Sequence, residues 1–144
     1  MPAEGPRLEK RLRGRRAYYS IHWSRLKKAE KFAISREVPA MAGFFELYFR
    51  DTDGRLKLFY YAKVWLGGLR SAIRARTDPS LVLGDEPHLK VLKKHECWYR
   101  YFVCPFKLDM DDIVHFFART DRSGKPEASS GRYEEIYLKE FECR

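Results

Sequence analysis

Cysteine is scarce in this chain of 144 residues: Cys97, Cys104 and Cys143 are the whole set. An odd and sparse set does not build a disulfide framework, so a reducing compartment is expected, cytoplasmic or, in a eukaryote, nuclear. Long apolar runs are missing as well. Nothing approaches the roughly 20 residues of a membrane-spanning helix, and the first residues hold no signal-like apolar stretch, so neither membrane nor secretion is expected. No glycine-rich phosphate loop occurs, and Gly67-Gly68 reads only as a turn or a close-packing signal. A serine-centred nucleophile motif is also absent, and His95, Cys97 and Cys104 do not have the paired spacing of a zinc site.

What is present is a core-forming composition and an uneven charge. Hydrophobic residues make up 44% and aromatics 15%, enough for one globular domain. Residues 1–36 hold 11 Lys and Arg against Glu4, Glu9 and Glu30, so +8 of the net charge of +9 sits in that first quarter. A basic segment beside a nearly neutral body suits a polyanion, because each cation set near a phosphate releases condensed counterions. The same segment would also suit an acidic protein partner.

Residues 1–17 read as a basic flexible arm carrying Arg13, Arg15 and Arg16. Residues 18–36 read as a basic amphipathic helix. In that reading Tyr19, Trp23, Leu26, Ala29 and Ala33 follow spacings of three and four, and Lys27 and Lys28 lie on the opposite face. Residues 37–144 then form a single α+β domain. "GFFELYFR" (43–50) and "RLKLFYYAKV" (55–64) predict a β-hairpin turned by Asp53-Gly54. Leu66, Leu69 and Ile73 predict a short helix, Pro87 a brief second one, and "CWYRYFVCP" (97–105) a third strand. Met110, Ile113, Val114 and Phe117 mark the buried stripe of a further helix, with Asp109 as its N-cap. "DRSGKPEASSGR" reads as a loop, and the last twelve residues fit a helix or a strand. The fold class expected is α+β: a small mixed sheet opened by a β-hairpin, with helices packed around it.

Over residues 39–127 this order resembles the GIY-YIG nuclease domain. Pro39 precedes Gly43-Phe44-Phe45, the second strand closes on Tyr60-Tyr61-Ala62-Lys63, and Arg70 lies ten positions beyond Tyr60. Lys125-Pro126-Glu127 is similar to a later family segment. The chain departs from the pattern at Phe45, where the family has a tyrosine, at Ala62, where it has a glycine, and by offering aspartates for its glutamate. The resemblance implies a GIY-YIG-like scaffold on which Tyr60 and Arg70 are the catalytic candidates. Asp111 and Asp112 would hold Mg²⁺ or Mn²⁺. Arg74, Arg76 and Lys63 would join Arg13, Arg15, Arg16, Lys27 and Lys28 on DNA or RNA.

The chemistry gives these residues defined tasks. Phosphodiester hydrolysis needs an activated water, a metal against the developing charge and a cation on the phosphate. A guanidinium at the start of a helix suits the last task. Phe45 has no hydroxyl with which to move a proton. Two classes therefore stay open: a nucleic-acid-associated protein, with divalent-metal-dependent endonuclease activity where the site is intact, and a non-catalytic interaction or structural module with a basic arm.

Overall fold

The structure, a computed structural model, describes residues 5–119, 133 and 135–142. In chain order the elements are β1 (Arg7–Arg13), β2 (Arg16–Trp23), β3 (Lys27–Lys28), α1 (Lys31–Glu37), β4 (Gly43–Arg50), β5 (Leu56–Val64), α2 (Gly68–Thr77), α3 (Glu86–Lys94), β6 (Cys97–Val103), α4 (Lys107–Arg119) and β7 (Glu135–Glu142). A 3-10 turn at Pro79–Leu81 follows α2. The protein is α+β, and its strand pairing is mixed. It divides into two compact units, Met1–Arg25 with Phe102–Arg144, and Leu26–Tyr101. The division does not fall at residue 37, where the sequence had suggested a boundary.

In the first unit β1 and β2 form an antiparallel hairpin from Arg7↔His22 to Arg13↔Arg16. β7 pairs in parallel with β2 along eight residues, Arg16↔Glu135 to Trp23↔Glu142. The expected flexible arm is therefore a strand over residues 7–13, and the helix expected over residues 18–36 begins instead as the end of β2 and the short β3. The reason lies in the period: Ala17, Tyr19, Ile21 and Trp23 are all buried, while Tyr18, Ser20 and His22 face the other way. A spacing of four, as from Tyr19 to Trp23, satisfies a strand as well as a helix, so the stripe was ambiguous there. Only residues 31–37 of that stretch are helical, capped by the Glu30 carboxylate on the Phe32 and Ala33 N–H groups.

The buried side of the β1–β2–β7 sheet is completed by α4, whose Met110, Ile113, Val114 and Phe117 are all buried, as their spacing predicts. Trp23 meets Phe102 edge to face at 5.1 Å, and its indole N–H donates to Glu140 Oε1 at 2.9 Å. The C-terminal segment takes the strand alternative. The Lys125-Pro126-Glu127 segment lies outside the described residues.

In the second unit the strand order is β5-β4-β6, with β3 also on β6. The hairpin β4–β5 forms where the sequence placed it, and Gly54 adopts φ 84° in the turn. A bulge at Phe59 separates the pairs Leu47↔Tyr60 and Tyr48↔Leu58. α2 packs on α1, β4 and β5 through Leu69 and Ile73. Leu66, expected on that buried stripe, is 85% exposed because it precedes the helix in the corner. Gly68 explains the Gly-Gly pair: its φ is 81°, and a Cβ there would lie 2.8 Å from the Ala40 carbonyl carbon. Arg100 Nε donates to the buried Glu46 at 2.7 Å, a charge pair that no local pattern announces.

Candidate nucleic-acid interface

The second unit holds Tyr60, Lys63, Arg70, Arg74 and Arg76. Tyr60 and Tyr61 take opposite faces of the hairpin, Tyr60 beside Phe45 at 5.8 Å and Tyr61 stacked on Phe44 at 5.6 Å. The guanidinium over the Tyr60 ring belongs to Arg76, with Cζ 4.4 Å from the centroid. Arg76 also donates to Asp85 Oδ2 at 2.8 Å, while the other Asp85 oxygen caps α3 at the His88 N–H. The His88 ring closes the cluster: its Nε2 lies 2.6 Å from the Arg76 carbonyl, and Tyr60 and Phe59 meet it at 5.3 and 5.1 Å. The bulge lets two successive aromatic residues reach one ring. Burial pushes the His88 pKa down, and the hydrogen bond from Arg76 holds Asp85 below the ordinary carboxylate range.

Arg70 is used elsewhere. Its Nε donates to the Val38 carbonyl at 2.8 Å, which ties the start of α2 to the end of α1. The first free N–H groups of α2 are likewise occupied, Leu69 by the Met41 carbonyl at 2.8 Å and Arg70 by Pro39 at 3.3 Å. A helix start recruits an anion through such donors, and here the segment Val38–Met41 takes them. The expected phosphate seat at this corner is thus filled by backbone.

The aspartates belong to the first unit. Asp109 lies within α4 rather than at its cap, buried, with Lys10 Nζ at 2.9 Å and the Tyr19 hydroxyl at 3.3 Å. Asp112 is buried and accepts from the Tyr19 hydroxyl at 2.8 Å. Asp111 is half-buried on the same helix. These carboxylates serve the core of their own unit, and the hairpin that carries Tyr60 lies in the other. No group of three or more metal-binding side chains occurs among the described residues. Cys97 and Cys104 are buried with thiol pKa values pushed up to about 11 by desolvation, which keeps them protonated.

The basic residues of the early chain divide in two. Lys27 pairs with Glu37 and Lys28 with Glu96, both at 3.0 Å. Arg13 and Arg15 sit at the β1–β2 turn, exposed, and Arg16 reaches Glu135 at 4.0 Å. Arg11 and Lys139 are exposed on β1 and β7. Among the described residues, Arg11, Arg13, Arg15 and Lys139 have no ion-pair partner.

Between these cations lie aromatics that the sequence reading did not select. Tyr18 stacks on Tyr137 at 4.9 Å and 11°, and His22 on Phe141 at 5.1 Å and 13°. Tyr137 is 42% exposed and Phe141 46%. The signal was available as the period-two series Tyr18-Ser20-His22 and Tyr137-Lys139-Phe141. It gained meaning only once β2 and β7 were paired.

The first unit thus presents a mixed sheet with one face on a helix; among the described residues the other face carries aromatic rings and cations together with Glu9, paired with Arg7 and His22, and Glu135, near Arg16. Residues 7–144 match the model of a family whose description reads "Uncharacterised protein", and the chain belongs to that family. No curated protein and no solved structure matches it. No helix among the described residues is long and apolar enough to cross a membrane.

Proposed function

We infer that this protein binds nucleic acid, DNA or RNA, through the outward face of its N-terminal hairpin. One observation carries the reading: Arg11, Arg13 and Arg15 project from β1 and its turn with no ion-pair partner among the described residues. Cations set out on a strand and its turn release condensed counterions when they meet a phosphate backbone. The net charge of +9 supports the same ligand class.

A salt titration of binding to a fluorescently labelled oligonucleotide tests it. Affinity should fall steeply with salt, and Arg11→Gln/Arg13→Gln/Arg15→Gln should lower the slope of log K against log salt by about three. Absence of binding even at low salt would favour the interaction module.

Metal-dependent cleavage on a GIY-YIG-like scaffold is the second reading. It is favoured by the order β4, β5, α2, α3, β6, α4 and by the adjacency of Phe45 and Tyr60. The bonds that occupy Arg70 and Asp112 weigh against it. Mg²⁺- or Mn²⁺-dependent nicking that disappears in a stably folded Arg70→Ala protein would establish it.

A further inference from the structure

The open face of the β1–β2–β7 sheet carries more than charge. Along β7, Tyr137, Lys139 and Phe141 alternate on one side, an aromatic ring, an ammonium and an aromatic ring. Tyr18 and His22 on β2 back the two rings, each stacked nearly parallel. Arg11 of β1 stands beside Tyr18 in register. A depression of about 800 Å³ runs by this sheet, lined by residues of β1, β2 and β7 from both faces and by Phe116 of α4.

We propose that this face is a stacking platform for single-stranded nucleic acid, in which unpaired bases lie on Tyr137 and Phe141 and the intervening phosphates on Lys139 and Arg11. The claim rests on the nucleic-acid reading above and adds the strand state of the ligand and the residues that read it. Three features select this occupant. Tyr18 covers one face of the Tyr137 ring, and β7 is the edge strand among the described residues, which leaves the other ring face on the edge side. A base can extend that stack, whereas paired bases inside a duplex keep their faces buried. Tyr137 and Phe141 are four residues apart on a strand, about 13 Å, so one extended chain can reach both. The cation between them is set where a backbone joining two stacked bases must pass.

An acidic protein would use Lys139 and Arg11 but would have no need of the rings. A base has a π-face and a phosphate together, and stacking on an aromatic side chain is tolerant of sequence. Exposed aromatic rings on a sheet face are also how some RNA-binding sheets hold single strands.

The test uses the full chain and labelled strands of about 12 nucleotides, within the range of known site sizes. Five probes are compared across one salt series: a mixed-sequence single strand as DNA, the same strand as RNA, the DNA strand annealed to its complement, an abasic strand of equal charge, and polyglutamate. The single strands should bind about tenfold or more tighter than the abasic strand and the duplex. Tyr137→Ser/Phe141→Ser should reduce single-strand affinity to the abasic level and leave the salt slope unchanged. Tyr137→Phe/Phe141→Tyr, which preserves both rings, should keep affinity, and circular dichroism should show both proteins folded. Equal binding of intact and abasic strands, preference for duplex, or full affinity in the serine variant would overturn the platform while leaving phosphate binding in place. Polyglutamate bound as tightly as the strands would assign the face to an acidic protein. Failure to bind any nucleic acid would remove the broader reading with it. The DNA and RNA arms identify which strand the platform prefers.

Discussion

Arg76, not Arg70, holds the Tyr60 ring: its guanidinium carbon lies 4.4 Å from the centroid, while the Arg70 side chain is bonded to the Val38 carbonyl. The spacing from Tyr60 to Arg70 is the one the GIY-YIG pattern asks for. Six residues further on, the last turn of α2 brings a different arginine over the ring and hands its second contact to Asp85. The corner is built as a joint between β5, α2 and α3.

Arg76→Leu should therefore destabilise the protein by about 1–2 kcal/mol, the scale of a partly desolvated cation–π contact. It should also let the Asp85 pKa rise toward its ordinary value, since the Arg76 hydrogen bond is the largest cause of its depression. Chemical denaturation and NMR titration of Asp85 read the two effects. An unchanged Asp85 would show that Arg76 does not reach it in solution.

His88 predicts a pH dependence. Its pKa is lowered in the fold by burial, so below about pH 6.5 the unfolded chain takes up a proton that the folded chain resists. Stability should fall as pH drops from there toward the folded-state pKa, and His88 should contribute no slope above that range, where it is neutral in both states. Melting temperatures measured from about pH 7.5 to about pH 5 should drop more in the parent than in His88→Gln. Parallel curves would refute the assignment.

Gly68 and Gly67 should respond differently to alanine. Both have positive φ, but only Gly68 lies against backbone, with a Cβ position 2.8 Å from Ala40. Gly67→Ala should cost about 1 kcal/mol and Gly68→Ala about 3 kcal/mol, since strain and overlap add at the second. Equal costs from urea melts would mean that residues 38–41 do not pack over the helix start.

Arg70→Ala should cost about 1 kcal/mol, the worth of its bond to Val38. Oligonucleotide affinity should stay at the parent value in a binding assay. A large loss of affinity without loss of stability would return Arg70 to the ligand site.

By itself the sequence determined the local elements whose signals are strong. The β4–β5 hairpin follows from aromatic and β-favouring runs around Asp53-Gly54, and α4 from an apolar series at three and four. It also determined where the charge lies, because composition needs no coordinates. It left the stretch from Tyr18 to Trp23 open, since positions four apart fit either period and the choice rests on a partner strand. Its partners are β1, the other arm of a hairpin inside the stretch read as a flexible arm, and β7, more than a hundred residues away, whose pairing no local pattern encodes. Tertiary structure alone brought Tyr137 and Phe141 beside Tyr18 and His22 and set Arg76 over Tyr60. It also used the α2 donors on Pro39 and Met41, because the backbone's need to satisfy its own N–H groups was met before any ligand arrived.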